Sequence, residues 1–281
     1  MKIGFIGLGI MGNLMALNLQ AEGYELIVHN RTKEKANELI AGGATWADSP
    51  AEVASQVNIL FTMLAHPEAV RSTAHEFLPA FSAGSLWIDC STVNPSFSRE
   101  MAQLATDHQI RFLDAPVAGS KKPAESGELV FFVGGEDVAE AQPFFDIMGK
   151  KTVHVGGHGM GTSLKMIVNM QLAVAMASFA EGVAIGRSLG ITEETLFNVL
   201  IGGPVVPPFV AGKREKLENS DYEPEFPLQW MRKDLHLAAE SAYETGASAT
   251  LASLARELYG YAAKEGYAEE DFSAIYKYFN G

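Results

Sequence analysis

The chain has 281 residues, 47% of them hydrophobic and 20% charged, which is enough for two domains of ordinary size. Its 34 acidic residues outnumber its 21 basic residues, so the formal net charge is −13 at pH 7. Such a negative field repels phosphate backbones and anionic lipid, so we expect neither nucleic acid nor a membrane as a partner. The single cysteine, Cys90, excludes an internal disulfide and a thiolate-based structural zinc site.

The apolar start of the chain, MKIGFIGLGIMG, is interrupted by glycines and lacks a small-residue cleavage pattern. We therefore do not interpret it as a signal peptide, and we expect a soluble protein in the cytoplasm.

The first half of the chain alternates short apolar runs with segments of helical length. The predicted strands are Lys2–Ile6, Tyr24–Asn30, Val57–Leu64, Leu86–Asp89, Ile110–Ala115, Glu128–Val133 and Lys151–Val155. One predicted helix runs through Leu19, and a charged helix is predicted from Thr32 to Ala41. Strands separated by helices indicate βαβ units, which predicts an α/β fold with a Rossmann-type, doubly wound, mostly parallel sheet.

The second half of the chain is predicted to be all-helical. Ser163 is placed to cap a long helix that ends near Leu189, and the later helices are broken by Pro204, Pro207, Pro208 and Pro224. We place the domain boundary between residues 160 and 161, giving domains 1–160 and 161–281. The run Met166–Ile185 is apolar enough for a membrane span, but Asn169, Gln171 and Glu181 interrupt it. We interpret it as a helix buried between domains or subunits, which predicts a homodimer or homotetramer.

A glycine motif follows the first predicted strand. It has the form GxGxxG and consists of Gly7, Leu8, Gly9, Ile10, Met11 and Gly12. Between a strand and an apolar-faced helix, this motif is typical of a dinucleotide site: the first glycine makes the tight turn, the second lets the backbone approach the pyrophosphate, and the third allows close helix–strand packing. A glycine turn without a ligand is the weaker interpretation.

The end of the second strand indicates which dinucleotide binds. Asn30, Arg31 and Thr32 stand where an NAD site usually has a carboxylate, and Lys33 and Lys35 follow. Arg31 can bind a 2′-phosphate with two donors, and Thr32 can add a hydroxyl and cap the next helix. An exposed basic helix start is the alternative, but in so acidic a chain the cluster favours NADP(H).

Residues after later strands also belong to the expected cofactor edge, because ligands bind at the carboxyl ends of a parallel sheet. Met63, Leu64 and Ala65 close one strand, and Ser91 and Thr92 follow another. Only their position supports this interpretation, and they could equally be loop residues.

Two further segments are candidates for the chemistry. In the loop after Asp114, the backbone amides with Ser120 and Lys121 could hold a carboxylate, although a polar turn explains the residues almost as well. Lys165 and Asn169 lie four residues apart on an otherwise apolar helix face, where polar groups are expensive unless they are solvated or functional. A snorkelling Lys165 and a packing role for Asn169 stay open.

Four ordered motifs together resemble the β-hydroxyacid dehydrogenases, and most closely their glyoxylate/succinic semialdehyde reductase branch. They are GFIGLGIMG, DAPVAGSKKPAE, the GTSLKMIVN helix start, and the late segment from Phe226 to Lys233 and Asp234. The resemblance implies that Lys165 is the catalytic acid/base and that Asn169 assists it. It also implies that Thr92 and Lys233 contact the cofactor and that Phe226 lies beside the active site. We predict a substrate site formed by Gly119, Ser120, Lys121, Phe226 and Asp234. Many relatives have serine where this chain has Ala118, so one hydroxyl contact is missing or is moved to Ser120.

The resemblance leads us to expect NADPH-dependent reduction of small oxo acids, with proton donation from Lys165 and without a metal. A 3-hydroxyisobutyrate-type dehydrogenase working in the oxidative direction is the nearest alternative. An imine reductase is less favoured because Lys165 supplies the proton donor expected for a carbonyl. A catalytically silent dinucleotide-binding scaffold is the alternative from another class. His154 and His158 make an unconvincing pair of metal ligands on a glycine-rich strand and loop.

Overall fold

The computed structural model describes all 281 residues and divides into two compact units, residues 1–166 and 167–281. The division falls inside the longest helix of the chain. The functional division at residues 160 and 161 stays a prediction, because compactness does not report what each part binds.

The first unit contains all nine strands of the chain. They are β1 (Lys2–Ile6), β2 (Glu25–His29), β3 (Thr45–Trp46), β4 (Ile59–Thr62), β5 (Leu86–Asp89), β6 (Arg111–Asp114), β7 (Val117–Ala118), β8 (Leu129–Gly134) and β9 (Gly149–Gly156). Its helices are α1 (Ile10–Ala21), α2 (Asn37–Ala41), α3 (Pro50–Ala54), α4 (Pro67–Phe77), α5 (Pro95–Asp107), α6 (Lys121–Glu125), α7 (Val138–Met148) and the start of α8 (Met160–Ser188). Two 3-10 helices, Lys33–Ala36 and Leu78–Ala80, complete it.

The strands form one sheet in the order β3-β2-β1-β4-β5-β6-β8-β7, and β9 pairs with β8. Strands β1 to β6 are parallel, whereas β8 runs antiparallel to β6 and β7. The order 3-2-1-4-5-6 is that of a Rossmann sheet, whose ligands bind where the strand order reverses, between β1 and β4. The predicted fold is confirmed.

Both faces of the sheet are buried, and successive residues of a strand belong to different cores. Phe5 and Phe61 pack in one core with α1 and α7, whereas their neighbours Ile6 and Leu60 pack in the other with α3 and α4. Because side chains alternate across a strand, a sheet covered on both faces requires continuous apolar runs. The short strands of this sequence are continuous apolar runs of this kind.

Two local predictions need correction. The charged segment after β2 is not one helix from Thr32 to Ala41: a 3-10 helix precedes α2, and the Thr32 side chain makes no cap hydrogen bond. Ser163 does not cap α8, because that helix already begins at Met160 and the Ser163 hydroxyl donates to the Gly159 carbonyl at 2.7 Å. Ser163 is therefore an internal residue of the first turn.

Helix α8 is long and apolar enough to cross a membrane by the criteria of length and composition. The core helix of a soluble protein meets the same criteria, and 44% of the most apolar stretch of α8 is buried inside the structure.

The second unit consists of helices around one apolar core. They are the rest of α8, then α9 (Glu193–Leu200), α10 (Pro208–Ala211), α11 (Arg214–Asn219), α12 (Leu228–Thr245), α13 (Thr250–Ala262) and α14 (Ile275–Asn280). The rings of Phe179 and Phe197 pack against each other in this core, tilted by 49° and with their centroids 5.6 Å apart. A π-type turn at Ala263–Tyr267 and a 3-10 helix at Phe272–Ala274 connect α13 to α14.

Candidate active site

The glycine loop between β1 and α1 has the backbone that the motif predicts. Gly7 has φ +100°, a left-handed conformation that favours glycine, and a Cβ there would overlap the Met63 carbonyl oxygen. A Cβ on Gly12 would overlap the Gly7 carbonyl oxygen. A Cβ on Gly9, by contrast, would meet nothing within 4 Å. The outer two glycines are thus required by packing, and the middle one leaves space above the loop.

The start of α1 is suited to an anion. No side chain caps this helix, its first turn carries no acidic residue, and Gly9 and Ile10 are exposed. The unsatisfied N–H groups of a helix N-terminus and its dipole both favour negative charge. The loop therefore fits the pyrophosphate of a dinucleotide.

Asn30 ties this loop to the end of β2. Its Oδ1 accepts a hydrogen bond from the Leu8 amide at 3.0 Å, and its Nδ2 donates to the Thr32 carbonyl at 2.9 Å. Arg31 and Thr32 are exposed beside it, and Lys33 lies over the Trp46 ring with Nζ 5.1 Å from the centroid. A basic, accessible surface thus follows β2. Leu8 is a predicted cofactor-binding residue, but its amide already donates to Asn30.

A buried polar network lies at the ends of β4 and β5. Oδ1 of Asp89 accepts hydrogen bonds from the Thr62 hydroxyl at 2.7 Å and the Ser91 hydroxyl at 2.6 Å. The Trp87 indole donates to the Thr62 hydroxyl at 2.8 Å, and the Leu64 amide donates to the Ser91 hydroxyl at 2.9 Å. The network fixes the backbone next to Met63, Leu64 and Thr92, three predicted cofactor residues.

Burial raises the pKa of Asp89 to about 6, because the charged carboxylate is removed from water. Hydrogen bonds from Ser91 and Thr62 oppose this rise in the pKa.

Asp114, the last residue of β6, is fully buried and holds the start of α8. Its Oδ1 accepts from the Gly159 amide at 2.7 Å, and its Oδ2 accepts from the Thr162 amide at 2.9 Å. Burial raises the pKa of Asp114, and the hydrogen bonds from these two amides act in the opposite direction.

The loop that follows Asp114 is more ordered than the sequence predicts. It contains the short strand β7 and turns at Gly119, whose φ is +124°. Ser120 stands at the N-cap of α6 without a side-chain cap hydrogen bond, and Lys121 is half-buried in its first turn. Ala118 is half-buried at the end of β7.

Lys165 lies in the second turn of α8 and is only 9% exposed. An ammonium group that is this deeply buried is expensive unless it is paired or functional. Asn169 follows one turn later in the same helix and is 1% exposed. Both residues are thus buried on α8, and their predicted roles stay predictions.

In the helical unit, Asn169 contacts Asp234, and Asp234 in turn contacts Lys233; both were predicted from the late segment. Its Nδ2 donates to Oδ2 of Asp234 at 2.6 Å, and Lys233 Nζ lies 2.8 Å from Oδ1 of the same carboxylate. The Asn169 Oδ1 is buried without a hydrogen-bond partner, so one acceptor stays available for a ligand.

Phe226 is half-buried just before α12, and its amide donates to Asp271 at 3.2 Å. Its ring lies 5.9 Å from that of Phe272. These contacts fix Phe226 within the helical unit.

The sequence interpretation missed the roles of Asp89 and Asp114. Asp89 ends one predicted strand and Asp114 is the last residue but one of another, which is the only signal that pointed to either. The two histidines have structural contacts: Nε2 of His154 lies 2.9 Å from the Gly135 carbonyl, and Nε2 of His158 lies 3.1 Å from the Phe112 carbonyl.

Comparisons with known proteins cover the chain almost completely. Residues 2–156 match the family model described as the NAD binding domain of 6-phosphogluconate dehydrogenase. Residues 159–279 match the model described as the NAD-binding region of NADP-dependent 3-hydroxyisobutyrate dehydrogenase.

Relatives and solved structures share both units. Glyoxylate/succinic semialdehyde reductase 2 (chloroplastic) of Arabidopsis thaliana is 39% identical over 98% of this chain and 78% of its own length. Glyoxylate/succinic semialdehyde reductase 1 of the same plant is 36% identical over 98% of this chain and 97% of its own. The structure of Mycobacterium tuberculosis 3-hydroxyisobutyrate dehydrogenase with L-serine has a TM-score of 0.90 and 32% identity, covering 100% of this chain and 99% of that one.

Proposed function

The chain belongs to the β-hydroxyacid dehydrogenase family of NAD(P)-dependent oxidoreductases that act on CH–OH groups, and we propose that it reduces small oxo acids with NADPH. The proposed substrates are succinic semialdehyde and glyoxylate, each reduced to its hydroxy acid. The observation that carries this choice is the 39% identity, over 98% of the chain, with a glyoxylate/succinic semialdehyde reductase.

The preference for NADPH over NADH is proposed from the end of β2. No carboxylate stands at residues 30–32, where an NAD enzyme would bind the ribose 2′-hydroxyl. Arg31 and Thr32 are exposed there, and a guanidinium with a hydroxyl matches the acceptors of a 2′-phosphate.

Lys165 is the proposed proton donor. NADPH, when bound, supplies the hydride that reduces the carbonyl carbon. The Lys165 ammonium stabilises the negative charge that develops on the carbonyl oxygen and donates a proton to it, which completes the alcohol. Asn169, held through its Nδ2 by Asp234, keeps its Oδ1 as an acceptor.

Recognition of the substrate carboxylate is proposed for the loop after β7. Gly119 and Ser120 present backbone amides and a hydroxyl, and Lys121 adds positive charge. Hydrogen bonds from such donors to a carboxylate are charge-assisted and therefore stronger than neutral ones.

The proposal is tested by rates of NADPH and NADH oxidation with succinic semialdehyde, glyoxylate and an uncharged aldehyde of similar size. We expect turnover with the two acids, faster with NADPH, and a fall in kcat of roughly 100-fold or more in Lys165→Ala. NADPH binding to that variant should be little changed. Lys151→Ala, at an exposed position of β9, is the matched lysine control. Normal turnover by Lys165→Ala would remove Lys165 from the mechanism.

A second candidate is oxidation of a β-hydroxy acid. It is favoured by the match of residues 159–279 to the 3-hydroxyisobutyrate dehydrogenase model. Assays with NADP+ or NAD+ and 3-hydroxyisobutyrate or L-serine distinguish it. Dinucleotide binding without turnover in either direction would instead indicate a silent scaffold.

A further inference from the structure

We propose that Asp114 is a positioning residue that fixes the start of α8 and, through that helix, the place of the Lys165 ammonium. The inference rests on the proposed role of Lys165 as proton donor. It assigns a function to the aspartate that opens the DAPVAGS segment.

The first turn of any helix has N–H groups without intrahelical acceptors, and a side chain at its own N-cap usually accepts from one of them. The residue before α8 is Gly159, which has no side chain to do this. Asp114 supplies both acceptors from another element: Oδ1 bonds the Gly159 amide and Oδ2 bonds the Thr162 amide. Each carboxylate oxygen therefore accepts a hydrogen bond from one N–H of the helix start. The two bonds together fix the direction of α8 as well as its distance from the end of β6.

The carboxylate is itself held rigidly. Asp114 ends a central strand, and the next amide, that of Ala115, donates to the Asp89 carbonyl of β5 at 2.7 Å. Two glycines pack against the carboxylate: a Cβ on Gly134 would lie 2.5 Å from Oδ1, and a Cβ on Gly161 would lie 2.9 Å from Oδ2. The space around the carboxylate thus accommodates the aspartate and little more.

Lys165 lies three residues after Thr162, within one turn of the same continuous helix. A shift of the first turn therefore moves the Cα of Lys165 with it. A proton donor must be within hydrogen-bond reach of the oxygen that it protonates, and a displacement of roughly 1 Å can cost about 100-fold in rate. The two hydrogen bonds to Asp114 therefore control the distance between the Lys165 ammonium and the oxygen that it protonates, although Asp114 takes no part in the reaction.

Asp114→Asn tests the inference, because its amide nitrogen replaces one acceptor oxygen and confronts an N–H with another donor. We expect kcat to fall roughly 10- to 100-fold while the KM for NADPH changes by less than about twofold. Asp107→Asn is the control, since it removes the same formal charge from an exposed position of α5. Unchanged kcat in a folded Asp114→Asn protein would overturn the inference.

Combining Asp114→Asn with Lys165→Ala distinguishes a positioning role of Asp114 from a general loss of activity. If Asp114 acts through Lys165, adding Asp114→Asn to Lys165→Ala should reduce the residual turnover by less than about threefold. The same loss in both backgrounds would show that Asp114 acts elsewhere. Normal turnover by Lys165→Ala alone would instead remove Lys165 from the proposed mechanism, so this failure can be distinguished from a failure of the role of Asp114.

Amide hydrogen exchange of the unmodified enzyme provides a test that does not depend on the folding of a variant. The Gly159 and Thr162 amides should exchange slowly, because both are bonded to a buried carboxylate. Exchange as fast as at an open helix N-terminus would contradict the proposed anchor.

Discussion

The buried Asp89 makes a quantitative prediction about stability and pH. In the folded chain the pKa of the Asp89 carboxyl is about 6, against 3.8 for the ordinary side chain. Between these values the folded state binds more protons than the unfolded state, so the free energy of unfolding falls as the pH rises. About two pKa units at 1.36 kcal/mol each amount to roughly 3 kcal/mol lost from pH 4 to pH 7.

Asp89→Asn removes this titration and conserves the shape of the side chain. An amide oxygen in place of Oδ1 can still accept from Thr62 and Ser91, whose bonds all reach this one atom. Denaturant unfolding of both proteins at several pH values, followed by tryptophan fluorescence, gives the two stability curves. The stability of the variant relative to the parent should increase by roughly 3 kcal/mol from pH 4 to pH 7.

Thr62→Val provides a second test of the same titration. The Thr62 hydroxyl lowers the pKa of Asp89 by donating to it, so its removal should move the stability loss to higher pH. Parallel curves for the parent and Asp89→Asn would refute the reasoning, since no difference in proton binding at Asp89 would then exist.

Three further predictions address the cofactor, the substrate and assembly. Arg31→Asp should reduce the kcat/KM preference for NADPH over NADH by roughly 10- to 100-fold, and an unchanged ratio would show that Arg31 does not contact the 2′-phosphate. Ser120→Ala should raise the KM for oxo acids roughly 10-fold with little effect on the uncharged aldehyde; equal effects on both would assign anion binding to the backbone or Lys121. Light scattering should give the mass of a dimer or tetramer, and the mass of one chain would reject the predicted assembly.

The sequence predicted the sheet because its strands are short apolar runs with clear ends. The bounds of Lys2–Ile6 and Leu86–Asp89 agree with the structure. The two-residue strands β3 and β7 were not predicted, because two residues cannot establish an alternation. The pairing of Val117 with Phe131 depends on a strand that comes later in the chain.

The start of α8 shows why the remaining local errors occurred. Serine is a residue type that often caps helices, so Ser163 was predicted as the cap. The helix is instead capped by Asp114, which lies 45 residues before Gly159 in the sequence. A pattern read along the chain cannot detect a cap from another element. Asp89 was missed for the same reason: its environment is made by Thr62, on the neighbouring strand, as much as by Ser91.

Asn30 has a consequence for how the cofactor preference of this enzyme could change. Through its two hydrogen bonds it fastens the turn at Leu8 to the segment at Thr32, whereas the adjacent Arg31 is exposed. Exchanging the guanidinium for another group should therefore leave the turn intact, while an exchange at position 30 should disturb both regions together. With the proposed role of Arg31 at the 2′-phosphate, single substitutions at residue 31 would be the route by which natural or laboratory evolution changes the preference, provided that Asn30 is retained.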